Sequence, residues 1–347
     1  MPQRSQSKSE KKPTHTYQYK ETFADIIGMD KVKEIIKDNL ILSLKHPELF
    51  EKYNQQRRIG IILYGATGVG KTAMVKAISG EAKINAMLVK IDEIIDQYTG
   101  QTEKHIHEKF EEAREIAPCI LFFDELDALG IKRSGLGKEG TAQVMRQAVE
   151  TFLIEMDSAS AKNENLFVMG ATNNPWDIDP ALRRSGRFDL SIYIAPPNIK
   201  DRKKLFKYYL MGKPISKINY SRLSRCTIGY SGADIKRICE SATKFAIKRE
   251  ANTGKDQYIT TNQIIGILKD KDLGKSTLNE WFAQIEKEQV SSTKTIISGD
   301  EKRKVKESGN MSEEERMIYS DLIKDIRRRK KDKAINDLIR WVSLNVM

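Results

Sequence analysis

Apolar and polar stretches alternate along most of the chain in a way that is typical of strands and helices following one another. Short apolar runs bounded by turn residues predict strands near residues 59–64, 86–91, 119–124, 166–171 and 190–194. The stretches between them predict helices near residues 71–80, 102–116, 141–156 and 179–184. Strands that alternate with helices predict an α/β fold, in which helices cover both faces of a parallel sheet.

The pattern before this α/β region is different. Residues 1–20 are polar and rich in Lys, Ser and Gln, which indicates a disordered tail. A helical segment is expected from Phe23 to about Tyr53, with Asp30 as its N-cap.

After residue 197 the strand pattern stops, and only helices are predicted, near 200–211, 219–225, 231–250 and 261–268. Ser231 and Thr261 are the expected caps of the last two helices. We therefore expect a tail at 1–20, a large α/β domain at 21–197, a small helical domain at 198–270 and a helical, charged extension at 271–347.

A glycine-rich segment, GATGVGKT at residues 65–72, stands between the first predicted strand and the helix that follows it. In such a turn, backbone N–H groups and a helix N-terminus face an anion, and glycines allow close approach to phosphate. Lys71 is expected to reach the β- and γ-phosphates, and the Thr72 hydroxyl to hold Mg²⁺. The expected ATP-binding residues of this loop are Thr67, Gly68, Val69, Gly70, Lys71, Thr72 and Ala73.

Two adjacent acids end the predicted strand at residues 119–124. Asp124 is expected to bind Mg²⁺ through its water shell, and Glu125 to orient or deprotonate the attacking water. Paired acids at a strand end are common by themselves. Together with a phosphate-binding loop they predict a nucleoside triphosphatase.

The composition of the chain limits which cellular compartment and which kinds of binding partner fit it. The chain has 347 residues and a formal net charge of +12. This charge fits either a well-solvated surface or an acidic partner such as nucleic acid. The three cysteines lack metal-ligand spacing, and no apolar stretch approaches the length of a membrane span. We expect a soluble protein in a reducing, cytoplasmic compartment.

Together these motifs resemble the AAA family of ATPases, in the branch of katanin, spastin, the ESCRT-disassembling ATPase and the archaeal relatives of p97. The resemblance covers about residues 20–285. It extends to further matching segments at residues 23–28, 47–50, 170–173, 179–189 and 229–234. It implies a P-loop NTPase sheet, a helical lid, Mg²⁺-dependent ATP hydrolysis and a homo-oligomeric ring, with six subunits as the family's number.

The resemblance assigns residues to the adenosine end of the nucleotide. Asp25 and Ile27 belong to the segment that packs beside adenine. Gly232 and Ala233 match the lid segment that touches adenosine. Tyr209 stands where relatives commonly carry a histidine near the base, which changes the details of adenine packing.

It also assigns residues to the γ-phosphate end. Asn173 matches the sensor that hydrogen-bonds the attacking water or the γ-phosphate, although an asparagine here would also suit a turn. Arg184 and Arg187 match arginine fingers that act on the nucleotide of the neighbouring subunit, where a planar cation offsets developing charge. With Lys71 and Glu125, these three form the expected catalytic set. Relatives usually have Asp-Gly where this chain has Asp157-Ser158.

Two loops are placed at the pore by the resemblance. Tyr98 and Thr99 stand where relatives carry the aromatic loop that grips a polypeptide, and a surface tyrosine at a helix start is the alternative. The basic loop at residues 130–140 is either a second pore loop or a solvated loop.

Two classes of function remain open. The first is a motor that remodels, unfolds or disassembles protein substrates, directly or through an adaptor. The resemblance at Tyr98 and at the Gly232-Ala233 pair favours it. The alternative is a nucleic-acid-associated ATPase such as a loader, which the basic charge and the cluster at residues 327–331 favour. Residues 276–282 and 319–323 resemble the tails of archaeal AAA proteins, which indicates a prokaryotic, archaeal source. For Trp281, a helix that packs on the small domain is the alternative.

Overall fold

The computed structural model describes residues 16–55, 57, 60–95, 100–130, 139–162, 165–270, 272–278 and 281. Its strands are β1 (Thr16–Tyr17), β2 (Gly60–Tyr64), β3 (Asn85–Lys90), β4 (Cys119–Asp124), β5 (Leu166–Thr172) and β6 (Leu190–Tyr193). They form one sheet in the order β1-β3-β4-β5-β2-β6. β4 pairs in parallel with both β3 and β5, and Phe123 lies opposite Gly170. The predicted α/β fold with a parallel sheet is confirmed.

The α-helices are α1 (Asp30–Ile36), α2 (Leu42–Lys45), α3 (Pro47–Lys52), α4 (Lys71–Ala82), α5 (Gln101–Glu115), α6 (Glu139–Lys162), α7 (Ile199–Leu210), α8 (Tyr220–Cys226), α9 (Gly232–Thr253) and α10 (Thr261–Lys269). A π-helical turn, Lys37–Ile41, joins α1 to α2. Short 3₁₀ turns follow β3, β4 and β5 at Ile91–Glu93, Leu126–Gly130 and Pro175–Asp177, and a further one is Pro180–Arg183. Most element types agree with the sequence pattern, and α6 continues beyond its predicted end at residue 156. The predictions were wrong at residues 179–184, where the structure has only the 3₁₀ turn, and at residues 23–29, which precede α1 and are not helical.

The N-terminal part of the chain is more ordered than we expected. β1, within the segment predicted as a disordered tail, pairs antiparallel with β3. Gly80 on α4 explains why the residues after β1 can pack here: a Cβ at this position would lie 2.0 Å from the Glu21 carbonyl oxygen. The Lys76 ammonium lies 5.1 Å from the centre of the Tyr19 ring, a cation–π contact. Residues 1–15 lie outside the described part.

Helix caps were predicted with mixed success. Ser231 caps α9 as expected, and its side chain accepts a hydrogen bond from the Asp234 N–H. The prediction for α10 is wrong by one residue, because Thr260 is its cap and accepts from the Gln263 N–H. The hydroxyl of Thr261 instead accepts from the Asn219 N–H, just before α8, at 2.8 Å. Asp30 is the first residue of α1 rather than the residue before it.

Clustering of contacts divides the described residues into two compact units. The first unit includes residues up to 25, 34–62 and 72–190, and the second includes 26–33, 63–71 and the residues from 191 onward. In the first unit, four buried phenylalanines form the centre of the core. The ring centres of Phe123 and Phe152 are 4.8 Å apart, and Phe110 and Phe188 pack against Phe152.

In the second unit, helices α7 to α10 enclose a core of their own. Phe206, Leu223, Tyr230 and Ile238 are completely buried in it. The apolar positions of α9 recur at helical spacing, so that this longest helix of the unit lines the core along one face. Among all described residues, no helix is both long and apolar enough to cross a membrane.

Candidate functional site

The loop after β2 has the backbone shape of a phosphate-binding turn. Gly68 and Gly70 have φ angles of +78° and +106°, which a residue with a side chain adopts only under strain. Lys71 begins α4 and is only 7% exposed. Its ammonium donates to the carbonyl oxygens of Gly65 at 2.9 Å and Ala66 at 3.0 Å. These bonds satisfy a buried cation inside the loop.

The lid segment expected at adenosine packs directly against this loop. The Ala233 N–H donates to the Gly68 carbonyl oxygen at 3.1 Å. A Cβ added to Gly68 would lie 2.7 Å from the Ala233 Cβ, so the two backbones approach as closely as a glycine allows. Gly232, the first residue of α9, lies beside the same oxygen. The structure therefore brings both predicted lid residues to the loop.

The other residues expected near the base differ in their surroundings. Tyr209 on α7 packs against the lid core, and burial raises the pKa of its hydroxyl, which keeps the ring neutral. Ile27 is half-buried, and Met29, two residues later, places its Cε 3.3 Å from the position of a Cβ on Gly70. Asp25 is exposed, and its carboxylate accepts from the Thr22 N–H at 2.7 Å. It holds a local turn.

Two oxygen ligands meet where β4 ends. The Thr72 hydroxyl, one residue into α4, donates to the Asp124 Oδ2 atom at 2.8 Å. Hydroxyl and carboxylate oxygens are the hard donors that Mg²⁺ prefers. The two side chains therefore fit the expected metal site.

Glu125 follows immediately and has an unusual backbone. Its φ angle is +58°, in the left-handed region, which costs a residue with a side chain about 1 kcal/mol or more. Its N–H donates to Asp124 Oδ1 at 3.0 Å, which holds the turn. The side chain is exposed. Strain of this kind is concentrated at functional sites.

Asn173 follows the end of β5, the strand next to β4. The turn that carries it is tied to Asp127, a residue that the sequence analysis did not single out. Asp127 accepts from the Thr172 hydroxyl at 2.8 Å and from the Asn174 side-chain amide at 2.9 Å. The residues on both sides of Asn173 are thus held by one carboxylate. The available signal was a third acid, three positions after Asp124.

The two expected arginine fingers have different surroundings. Arg187 makes a bidentate contact with Asp157, with distances of 2.9 Å to Oδ1 and 2.8 Å to Oδ2, and it also donates to the Ala181 carbonyl oxygen. This pairing lowers the pKa of Asp157 and raises that of Arg187. Asp157 and Ser158 are part of helix α6. Arg184 is exposed.

A group of possible metal ligands lies on α5 and α6. The ligating atoms of His107, Glu111 and Glu155 come within 4.8 Å of one another. Arg114 already contacts both carboxylates, at 2.6 Å to Glu111 and 2.7 Å to Glu155. The cluster is therefore an ion-pair network.

Several expected residues lie outside the described part of the chain. They are Tyr98, Thr99, the loop residues 131–138 and the basic cluster at 327–331. Their assignment to the pore or to a nucleic-acid surface stays a prediction.

Comparison with known proteins identifies the domains. Residues 61–196 match the model of the ATPase family associated with various cellular activities (AAA), and residues 217–261 match the AAA+ lid domain. A cell division cycle protein 48 homolog from Archaeoglobus fulgidus is 39% identical over 231 residues, which are 66% of this chain and 31% of that protein. A putative cell division cycle ATPase from Plasmodium falciparum is 38% identical over 229 residues, 65% of this chain and 18% of that protein.

The chain thus spans less than a third of the length of these relatives. The matched ranges contain the phosphate-binding loop, the acids after β4 and the lid turn described above. The predicted resemblance is confirmed: the chain is an ATPase of the AAA family, with an AAA domain followed by an AAA+ lid.

Proposed function

We propose that this protein hydrolyses ATP with Mg²⁺ as a homo-oligomeric ring, and that hydrolysis drives the remodelling, unfolding or disassembly of protein substrates through a central pore. The observation that carries the ATPase part is the 2.8 Å contact between Thr72 and Asp124, with Glu125 next in sequence. The relative from Plasmodium falciparum is itself named an ATPase, which supports ATP hydrolysis by this chain.

The chemistry follows from the charges at the site. Mg²⁺, held by Thr72 and Asp124, would neutralise phosphate charge. Lys71 can exchange its bonds to loop carbonyls for phosphate oxygens, since an ammonium is donor-only. Glu125 takes the proton of the attacking water, and Asn173 orients that water.

We propose that a neighbouring subunit provides the arginines that complete the active site. Arg184 and Arg187 are placed after β5 and provide cations for the γ-phosphate bound by the adjacent protomer. An interface of this head-to-tail kind closes into a ring, and six is the number that the family implies. Arg187 is paired with Asp157 in the single chain, so it must leave Asp157 to act on a neighbour.

The domain plan that we propose places the large domain at residues 21–197 and the lid at 198–270. The family matches at 61–196 and 217–261 lie inside these bounds and support them. Residues 271–347 form the proposed extension. A cytoplasmic location is part of the proposal and rests on three free cysteines, all buried, in the described residues.

The test is the steady-state ATPase rate per subunit, measured over a range of protein concentrations with and without unfolded polypeptide. A rate that rises with concentration and rises further with polypeptide is expected of a ring-shaped protein motor. A rate that does not change with concentration indicates a monomer or a ring that is already formed. Sizing of the Glu125→Gln variant with ATP separates these two, and a monomer would contradict the proposal.

One observation favours the nucleic-acid alternative. Between Ile199 and Cys226 the chain has nine Lys and Arg residues and one acidic residue. Lys203, Lys207 and Lys217 line a concavity of about 530 Å³ on this part of the lid. Such a concentration of positive charge attracts polyanions in a salt-dependent manner. ATPase stimulation by single-stranded DNA but not by polypeptide, lost in the Lys203→Glu/Lys207→Glu variant, would favour this second function.

A further inference from the structure

The segment after α10 turns back and packs on the lid. We call residues 274–278 the strap. Leu278 is completely buried and Trp281, three residues later, is 6% exposed. The Ser276 hydroxyl donates to the Gly229 carbonyl oxygen at 2.5 Å, and the Tyr230 hydroxyl donates to the Gly274 carbonyl oxygen. The strap is therefore bonded to the turn that precedes α9.

A buried carboxylate joins the strap to the start of α9. Asp234 is 2% exposed. Its Oδ2 atom accepts from the Ser231 N–H at 3.0 Å, the Thr277 N–H at 3.2 Å and the Thr277 hydroxyl at 3.1 Å. A buried carboxylate needs such donors, because an unpaired charge in an apolar surrounding is costly. Thr277 thus provides two of the bonds that stabilise Asp234 in its place.

The same turn contacts the phosphate-binding loop on its other side. The Ala233 N–H donates to the Gly68 carbonyl oxygen at 3.1 Å. The Ser231 hydroxyl is 3.4 Å from the Thr277 hydroxyl and 3.0 Å from the position of a Cβ on Gly68. A continuous series of contacts therefore runs from Thr277, through residues 231–234, to Gly68.

We propose that Thr277 is a positioning residue for nucleotide binding, and that the strap fixes residues 231–233 against the phosphate-binding loop. This inference rests on the proposed function, in which the loop and the lid turn bind ATP. Without the Thr277 hydroxyl, Asp234 loses one of the two donors that the strap provides and keeps the Thr277 N–H, the Ser231 N–H and Arg237, so the strap holds the start of α9 less firmly. The lid turn then occupies its place beside Gly68 for a smaller fraction of the time, which weakens binding without changing the reacting groups.

The test compares three variants of the full chain. Thr277→Val removes the hydroxyl and keeps the shape of the side chain, whereas Thr277→Ser keeps the hydroxyl and removes the methyl group. Thr243→Val is the matched control, because the Thr243 hydroxyl on the same helix donates to the Cys239 carbonyl oxygen at 2.8 Å and does not contact the strap. The measurements are the Kd of fluorescently labelled ADP, well below the unfolding temperature, and kcat at saturating ATP.

We expect Thr277→Val to raise the Kd about five- to tenfold, the range of a modest coupling between two sites. Its kcat should stay within about twofold, since the γ-phosphate residues are untouched. Thr277→Ser should bind like the unmodified protein, and so should Thr243→Val. Ser276→Ala, which removes the bond to Gly229, should change the Kd in the same direction and serves if Thr277→Val fails to fold.

Unchanged affinity in Thr277→Val, or an equal loss in Thr243→Val, would overturn the role of the strap while the proposed function stands. A loss of kcat with unchanged Kd would overturn it as well. If the unmodified protein itself fails to bind ADP, the proposed function is refuted and the strap has no nucleotide to position.

Discussion

Asp127 in the first unit and Asp234 in the second each join two chain segments through side-chain hydrogen bonds, but the backbone structure around them differs. Each accepts a hydrogen bond from a threonine hydroxyl far away in sequence, Thr172 for Asp127 and Thr277 for Asp234. Asp127 joins the ends of β4 and β5, which are already paired by backbone hydrogen bonds. Asp234 joins a helix start to a segment that no strand pairing holds. In the first unit, side-chain hydrogen bonds therefore add to an arrangement that backbone pairing already fixes. In the second unit, they are themselves what holds the two segments together.

This difference predicts which kinetic quantity each region controls. The β4 and β5 ends carry Glu125 and Asn173, the groups proposed to act on the attacking water. The lid turn carries Gly232 and Ala233, which are proposed to bind adenosine. Changes at the strand ends should therefore lower kcat, and changes at the lid turn should raise the Kd of the nucleotide.

The largest effect is expected for Glu125→Gln at the strand end. Loss of the general base should lower kcat about 1,000-fold, while ADP affinity changes less than about twofold. Steady-state ATPase assays and nucleotide titration provide the two values. Glu108→Gln is the control and should behave like the unmodified protein, because among the described residues this exposed acid on α5 forms its ion pair with Lys104, one turn earlier in the helix. Normal turnover in Glu125→Gln would contradict the assignment of the base.

Arg187→Ala tests whether the first unit also acts on a neighbouring subunit. Turnover should fall about 100- to 1,000-fold, because one cation that stabilises the transferred phosphoryl group is lost. Nucleotide affinity should change little, since the arginine acts on the nucleotide of the adjacent protomer. Titration with labelled ADP and sizing with ATP complete the test. A collapse of affinity would instead place Arg187 at the nucleotide of its own chain.

Asp127→Asn tests the strand-end side of the comparison directly. It replaces a charged acceptor for Thr172 and Asn174 with a neutral amide, which should loosen the turn that carries Asn173. We expect kcat to fall about tenfold with an unchanged Kd, the opposite of the Thr277→Val pattern. Thr172→Val removes the bond to Asp127 and also the bond that the Thr172 hydroxyl accepts from the Asn174 N–H, and it should give a similar loss of kcat. A raised Kd in Asp127→Asn would remove the distinction between the two regions.

The smallest effect concerns Cys119 and Cys239, two of the three buried thiols. Burial raises the pKa of both to about 12, so only about one thiol in 10,000 is ionised at pH 8. Alkylation in the native state therefore depends on local opening. In Thr277→Val, site-resolved mass spectrometry should show Cys239 on α9 labelled about threefold faster, with Cys119 on β4 unchanged. Equal acceleration at both thiols would indicate global loosening instead.

Much of the fold and of the site could be predicted from local sequence. Residues 65–70 lie between β2 and α4, and the glycines there have the expected backbone angles. Ser231 and Asp234 form a capping box, which is written in residues three apart. In each case the residues that determine the feature are close together in the sequence.

The features that were missed depend on residues that are distant in sequence. The bond from Thr172 to Asp127 spans 45 residues, and the bond from Thr277 to Asp234 spans 43. Neither residue pair has a local pattern, because only tertiary packing brings the groups together. The short strand β1 was missed for the same reason, since its polar sequence pairs with β3, and the residues that follow it pack against Gly80 of α4.

The contact between Gly68 and Ala233 has a consequence for genetics. A methyl group on Gly68 would meet the Ala233 Cβ at 2.7 Å, and it would also be placed on a backbone with a φ of +78°. Removal of the methyl group of Ala233 would relieve the steric clash and leave the strained backbone angle. Substitutions at the two positions are therefore epistatic, and a survey of single variants would attribute to the phosphate-binding loop a defect that partly belongs to the lid.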